Sequence, residues 1–183
     1  MLLLFAHTSI APVREKNGPQ AIGRSRGGLT TKIHALVDAL GNPVKLMLTP
    51  GQAHDLACAE QLIDSIDPDA LLGDKAYDAD QLVDTLTQRG ITPVIPPKAN
   101  RKFPRACDFA LYCERNLVER FFNKLKHFRA IATRYDKLAR NFLSGIHLTS
   151  ARCPSQLKAG PSWRLFVSRA GGVAAFEGIT GPC

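Results

Sequence analysis

The sequence predicts an α/β domain in which helices flank a mixed sheet, and three features of the chain support this prediction. Residues 29–38, LTTKIHALVD, are rich in β-branched side chains and alternate in character as a strand does. The turn residues Gly41, Asn42 and Pro43 separate this strand from VKLMLTP, which predicts a hairpin. After the hairpin, stretches with helical spacing of apolar residues alternate with short apolar runs. This order of elements is typical of a mixed sheet with helices packed on it.

The remaining elements can be placed in order along the chain. The opening run MLLLFA predicts a strand, and the basic, glycine-rich residues 13–28 lead into the hairpin. Apolar residues at helical spacing predict a helix that begins at Asp55, with the Asp55 side chain as its N-cap. Beyond this helix, the patterns predict short strands at ALLGD (70–74) and TPVIPP (92–97) and helices at 78–89, 108–132 and 138–150.

The character of the chain changes at about residue 152. From there to the end, Gly, Pro and Ser are mixed with apolar residues in no sustained period. We therefore expect one domain over residues 1–151 and a divergent, disordered tail over residues 152–183.

The composition favours a single globular domain with a polyanionic partner. The chain has 183 residues, of which 45% are hydrophobic and 22% charged, which suffices for one substantial core. Its net charge of +8 favours nucleic acid, because Lys and Arg side chains placed against phosphates release counterions. The five cysteines contain no C-x-x-C pair, so they predict neither a disulfide framework nor a zinc ribbon and fit a reducing cytoplasm. No apolar stretch approaches transmembrane length, which predicts no membrane association.

The stretch YCERNLVERFFNKLK, residues 112–126, carries four polar residues on one helical face. Tyr112, Arg115, Glu119 and Lys126 are spaced by three, four and seven residues, which places them within an arc of roughly 60° on a helix. The apolar residues of the stretch occupy the other side and would be buried in the core. A solvated stripe with an Arg115–Glu119 ion pair is the simpler interpretation of this face, and a functional one has to improve on it.

A second candidate residue, Asp74, ends the predicted strand at 70–74. Its carboxylate should project at the carboxyl edge of the sheet, where open α/β folds bind their ligands. If Glu119 meets it there, the two oxygen donors could begin a two-metal site for Mg²⁺. The alternatives for Asp74 are a cap at the strand end or a salt bridge with Lys75.

Five blocks of the chain resemble one family of enzymes. They are GRSRGGLTTKIHALVD, LTPGQAHD, LGDKAYDAD, IPPKANRK and VERFFNKLKHFRAIATRYDKLARNF, and they occur together with the spacing Y-x2-R-x3-E-x6-K. Over about residues 14–151 the chain resembles the DDE-type transposases of bacterial insertion sequences, in their family-five branch with the YREK signature. The resemblance implies a ribonuclease H-like fold and an enzyme that binds the terminal inverted repeats of its element and target DNA. It also implies DNA cleavage and strand transfer with three acidic residues and Mg²⁺ or Mn²⁺.

The resemblance also assigns roles to individual residues. Asp74 corresponds to the second catalytic acid and Glu119 to the third, and both would be metal ligands. Tyr112, Arg115 and Lys126 complete the signature as contacts to double-stranded DNA. Among the basic segments, Arg24 and Arg26 in GRSRGG and Lys98 in KANRK are further candidates for contacts to the DNA backbone, although flexible basic loops are nearly as good an explanation. A homodimer is a further expectation.

The first catalytic acid is the main departure from the family pattern. In the family it lies on the first strand, in an Asp-Ser-Thr-like context shortly before an Ala-His dipeptide, whereas here Ala6 and His7 follow only MLLLF. Glu15, Asp38 and Asp55 each have a simpler explanation in a loop, a turn or a helix start. We therefore expect an incomplete first strand and an N-terminally truncated, inactive copy. The alternatives are a catalytically silent protein that binds element ends and a ribonuclease H-like nuclease without strand joining.

Overall fold

The computed structural model describes residues 2–10, 19–25, 28–64 and 66–152. In this part of the chain seven strands form one sheet, and helices pack on it. The strands are β1 (Leu2–Ile10), β2 (Gly23–Ser25), β3 (Gly28–Val37), β4 (Pro43–Pro50), β5 (Ala70–Gly73), β6 (Thr92–Val94) and β7 (Thr133–Arg134). The helices are α1 (Leu56–Ile63), α2 (Asp80–Gln88), α3 (Phe109–Tyr112), α4 (Asn116–Lys126), α5 (Arg129–Ala132) and α6 (Ala139–Ala151). Lys75–Tyr77 and Cys113–Arg115 form 3₁₀ turns.

The central strand of the sheet is β1, which pairs on both sides. On one side β1 pairs antiparallel with β3, with Leu2 opposite Val37. On the other side it pairs parallel with β5, with Leu3 beside Gly73. β4 continues the sheet antiparallel to β3, and β6 continues it parallel to β5. The short strands extend it further, β2 pairing with the start of β3 and β7 with the end of β1. The sheet is therefore mixed, as the sequence predicts.

Both faces of the sheet are covered, because its side chains enter two separate cores. Ile33, Ala35 and Val37 of β3 belong to a core that also contains the apolar faces of α4 and α6. Leu36, which points the other way, belongs to a core formed with α1 and α2. This double burial explains why β3 is buried from Thr30 to Val37, although its sequence alternates as a half-exposed strand would.

The predicted helix over residues 108–132 is broken into shorter pieces. α3 leads through a 3₁₀ turn into α4, and the extended conformation of Phe128, with φ −84° and ψ 107°, separates α4 from α5. The predicted helix at 138–150 is confirmed as α6. The predicted tail at 152–183 lies outside the described residues apart from Arg152.

One smaller expectation is wrong. Asp55 does not cap α1, since its side chain instead accepts a hydrogen bond from the Lys32 ammonium at 2.7 Å, which neutralises a cation that is almost buried. Cys113 is disulfide-bonded, whereas Cys58 and Cys107 are free thiols. In the described part of the chain, no helix has the length and apolarity to cross a membrane.

A buried arginine at the end of β7 joins distant parts of the chain. The Arg134 side chain is fully buried, and its guanidinium donates to the Thr31 hydroxyl at 2.5 Å and to the Gln20 carbonyl at 2.7 Å. It also donates to the carbonyls of Asp136 and Lys137, at 2.7 and 2.9 Å. Burial lowers the pKa of Arg134 from its usual value, and the nearby charge of Asp136 opposes that shift. These bonds hold Gln20, β3 and the residues just before α6 together.

Candidate active site

Asp74 stands at the carboxyl end of β5, where the chain leaves the sheet. Leu71 and Leu72 are buried, and the chain then turns through Lys75–Tyr77, with the Tyr77 ring fully buried behind the turn. The Oδ1 atom of Asp74 accepts a hydrogen bond from the Lys75 backbone N–H at 2.7 Å. The cap that the sequence left open as an alternative for Asp74 is therefore present and uses this one oxygen. Its other oxygen, Oδ2, faces Arg115 at 3.8 Å.

The packing of α4 decides which side chains face Asp74. The buried side of this helix inserts four residues into the core, all at most 4% exposed, namely Val118, Phe121, Phe122 and Leu125. Because the apolar face is fixed in this way, the opposite face turns Glu119 outward, one turn after Arg115 at the helix start. The stripe predicted from the spacing thus begins beside the end of β5.

Arg115 connects the two candidate acids. Its Nη2 atom lies 2.8 Å from Oε1 of Glu119, and its Nη1 atom lies 3.8 Å from Oδ2 of Asp74. Two carboxylates from residues 45 positions apart therefore lie within 4 Å of one guanidinium group. All three side chains are partly accessible, at 27% for Arg115, 33% for Asp74 and 43% for Glu119, so water screens the ion pairs and the cluster adds little stability. Its arrangement is better suited to binding than to holding the fold.

Tyr112 completes this cluster, which we call the acidic pair site (Asp74, Tyr112, Arg115 and Glu119). The Arg115 guanidinium lies over the Tyr112 ring, 5.3 Å from its centroid. Burial raises the pKa of Tyr112, while the Arg115 charge lowers it and the Asp74 and Glu119 charges raise it further. The phenol therefore stays protonated at neutral pH and can donate a hydrogen bond to an anionic ligand.

The donor chemistry of the site fits a hard divalent cation. Mg²⁺ and Mn²⁺ prefer carboxylate oxygens, and Mg²⁺ commonly uses one or two of them together with waters and substrate phosphates. Asp74 Oδ2 and the Glu119 carboxylate are accessible oxygens of this kind. Among the residues that the structure describes, however, no group of three or more His, Cys, Asp or Glu side chains is placed to hold a metal ion. The described part of the chain thus offers two acids at this site.

The alternative acids are occupied elsewhere. Asp38 organises the hairpin turn, where its carboxylate accepts from the backbone N–H groups of Leu40 and Asn42 at 2.9 and 2.8 Å. Asp55 is paired with Lys32, and Glu15 lies outside the described residues. β1, which adjoins β5, has the sequence LLLFAHTSI and contains no carboxylate.

The other predicted DNA contacts are spread over the described surface. Lys126 is exposed in the last turn of α4, two turns beyond Glu119. Arg24 is exposed on β2, and the Lys98 side chain is exposed while its backbone N–H donates to Asp78 at 2.9 Å. Arg26 lies outside the described residues.

Sequence patterns missed a second charged cluster, which lies a few residues after Asp74 in the chain. Arg101 and Arg105, in the loop that follows β6, both contact Asp78 and Asp80. The sequence predicted that Asp78 starts a helix, but α2 starts at Asp80, and the Asp78 side chain is 2% exposed. The sequence did contain a signal for this cluster, because the two aspartates of DAD (78–80) could pair with the two arginines of RKFPR (101–105). A buried aspartate without such a partner would be costly.

Comparison with known proteins identifies the family. Two family models, both described as a transposase DDE domain, match residues 9–108 and 71–154. A Brucella ovis protein named as a transposase for insertion sequence element IS6501 is 38% identical over 125 residues, which are 67% of this chain and 96% of that protein. A Burkholderia cepacia protein named as a transposase for IS402 is 32% identical over 138 residues, 69% of this chain and 62% of that protein. No solved structure gives a significant match. The chain therefore belongs to the DDE-type transposases of insertion sequence elements.

Proposed function

We propose that this chain binds the ends of an insertion sequence and that its acidic pair site is the metal-dependent centre for DNA cleavage and strand transfer. The observation that carries the proposal is the convergence of Asp74 and Glu119 on the Arg115 guanidinium. This site gathers two partly accessible carboxylates at the carboxyl edge of the sheet, beside a tyrosine and a cation that can bind phosphate. The partner is double-stranded DNA, and a homodimer in the cytoplasm would hold two element ends together.

The arrangement of strands supports a ribonuclease H-like domain as the scaffold. β1, β3 and β4 form an antiparallel succession, and β5 and β6 add to the other edge of β1 in the parallel direction. Parallel strands β5 and β6 are connected through α2, and the end of β5 carries Asp74. α4 then crosses back onto the β1 and β3 face and presents Glu119.

Asp74 and Glu119 would hold Mg²⁺ or Mn²⁺, which supplies Lewis-acid polarisation of a phosphoryl oxygen and activation of a nucleophile when bound. The chain's own residues position the DNA around them. Arg115 can exchange its carboxylate contacts for a phosphate contact, because charge-assisted hydrogen bonds to phosphate are as strong as those to carboxylate. Tyr112 can donate from its protonated hydroxyl to the same backbone.

We expect the two acids to be required for binding of Mn²⁺ in the absence of DNA. Replacing Glu119 by Gln or Asp74 by Asn removes one charged oxygen ligand and should raise the Kd for Mn²⁺ at least about tenfold. Isothermal titration calorimetry or electron paramagnetic resonance of free Mn²⁺ measures this directly. Glu114→Gln is the matched control, since Glu114 is exposed in the adjacent 3₁₀ turn and should leave the Kd unchanged. Equal Mn²⁺ affinity in all four proteins would contradict the metal assignment.

We expect DNA binding to depend strongly on salt, because contacts to phosphates dominate the affinity of a basic protein. Alanine at Arg24, Arg26, Arg115 or Lys126 should weaken duplex binding and lower the slope of log K against log salt by about one per lost phosphate contact. Preference among duplex sequences should change less. Fluorescence anisotropy over a range of salt concentrations tests this. Binding that is insensitive to salt, or unchanged in the fourfold variant, would show that another surface contacts DNA.

A catalytically silent DNA-binding protein is the second candidate function. Two observations favour it, the lack of a carboxylate in β1 and the lack of a three-ligand group among the described residues. Such a protein would compete with an active transposase for element ends through the same basic residues. The cleavage assay described in the Discussion separates the two functions.

A further inference from the structure

The loop after β6 is tied to the end of β5 by a second charged cluster, which we call the loop anchor (Asp78, Asp80, Arg101 and Arg105). Nη1 of Arg101 and Nη1 of Arg105 both contact Oδ1 of Asp78, at 2.9 and 3.0 Å. The Nη2 atoms of the same two arginines both contact Asp80 at the start of α2. The second oxygen of Asp78 accepts from the Lys98 backbone N–H at 2.9 Å. Both ends of the segment 98–105 are therefore bound to the Asp78 carboxylate.

The loop anchor fixes the position of a three-residue tip, residues 102–104. Asp78 is 2% exposed, and a buried carboxylate that lost its partners would be costly, so the arginines are held firmly. The two arginines directly flank the tip, one on each side. At the centre of the tip, the Phe103 side chain is 85% exposed, more than any other large hydrophobic residue in the described part of the chain. An aromatic ring is thus displayed in water on a loop whose two ends are bound to a buried carboxylate.

The charges around this ring favour a polyanionic partner. The guanidinium charges of Arg101 and Arg105 are balanced by Asp78 and Asp80, whereas Lys98 and Lys102 are exposed on the same loop. The loop anchor also begins only four residues after Asp74, across the 3₁₀ turn whose Lys75 carbonyl accepts the Asp78 N–H. The loop that carries Phe103, Lys98 and Lys102 is therefore tied to the turn that follows Asp74 at the end of β5.

We propose that the anchored loop, residues 98–105, stacks Phe103 on an unpaired nucleobase while Lys98 and Lys102 contact the neighbouring phosphates. Stacking suits any base, because every base has a π face, and it requires a base that is not paired within a duplex. A rigid loop strengthens such binding, because little conformational freedom is lost when the base arrives. This inference rests on the proposed action on DNA and adds a contact to unpaired DNA, made by a loop that is tied to the turn after Asp74.

The test compares blunt duplex DNA with the same duplex carrying a short single-stranded extension, using the full 183-residue chain and fluorescence anisotropy. The extension should improve affinity, and Phe103→Ala should weaken binding to the extended DNA by about five- to a hundredfold. Binding to the blunt duplex should change less than about twofold in the same variant. Phe103→Trp should keep the preference for the extension, and Phe103→Leu should lose most of it, because leucine is apolar but cannot stack.

A second pair of variants tests the loop anchor. Asp80→Asn removes one charge from the exposed side of the anchor and should reduce the preference for extended DNA by about two- to fivefold, with an unchanged melting temperature. Asp84→Asn is the matched control, because Asp84 is an exposed aspartate on the same helix and should leave the preference unchanged.

Several results would overturn the inference. If the wild-type chain binds both DNAs in a salt-sensitive way but Phe103→Ala leaves the preference unchanged, the loop does not stack bases, and the proposed DNA binding still stands. If Phe103→Ala weakens both DNAs equally, the ring contacts duplex rather than an unpaired base. If it changes the oligomeric state in sedimentation and not the affinity for extended DNA, the ring belongs to a protein interface. If the wild-type chain binds neither DNA, the proposed function fails and the loop inference fails with it.

Discussion

DNA cleavage is expected only after a third carboxylate is supplied. The 183-residue chain should not cut DNA bearing matching element ends in Mg²⁺ or Mn²⁺, whereas a version joined in frame to an upstream strand containing Asp-Ser-Thr should. Among the described residues, two carboxylates converge on Arg115 and β1 contributes none, so in that part of the chain a metal ion lacks a third acidic ligand to fix its position. A loss of about 4 kcal/mol of transition-state stabilisation lowers the rate about a thousandfold.

The assay is metal-dependent nicking of a labelled element end, with the extended version as the positive sample. Asp74→Ala in the extended version should abolish cleavage, and Glu114→Gln should not. Cleavage by the unextended chain that is lost in Asp74→Ala would show that another group supplies the third ligand. If both versions bind the element end but neither cuts it, the catalytically silent DNA-binding function is the better description.

Replacement of Arg134 is expected to have the largest effect on stability. Arg134→Met should lower the free energy of unfolding by about 3 to 5 kcal/mol, because the buried Thr31 hydroxyl and the Gln20 carbonyl lose the hydrogen bonds that the guanidinium donates to them. The carbonyls of Asp136 and Lys137 also lose theirs, and the contact of the guanidinium with the Phe142 ring, 4.8 Å from its centroid, is removed. Urea denaturation followed by circular dichroism measures the change.

Two further variants show whether the hydrogen-bond geometry of Arg134 matters. Arg134→Lys keeps the positive charge but cannot donate in three directions from a planar group, so it should recover only part of the lost stability. Arg140→Ala removes an exposed arginine from α6 and should change the free energy of unfolding by less than about 0.5 kcal/mol. A loss below about 1 kcal/mol in Arg134→Met would mean that water replaces the guanidinium without cost.

The sequence alone determined the elements whose patterns are local. The hairpin of β3 and β4 follows from a strand-forming run and the turn at Gly41, and α6 follows from helical spacing. The buried face of α4 also follows from its periodicity, which is why the spacing of Arg115 and Glu119 was informative. In each case the residues that decide the structure are only a few positions apart.

Only the tertiary structure decided which distant charges meet. Asp74 and Arg115 come together because β5 ends where α4 packs, and no pattern within either segment records that meeting. Asp78 reads as a helix start, yet it is buried against Arg101 and Arg105, since a loop more than twenty residues away covers it. From the sequence alone, Arg134 would be expected at the surface. Only the fold brings Thr31 and the Gln20 carbonyl to its guanidinium and buries it. Local periodicity specifies which face of an element is apolar. The pairing of buried charges depends instead on how the elements pack, because a buried charge is costly unless it is paired and its partner can come from a distant part of the chain.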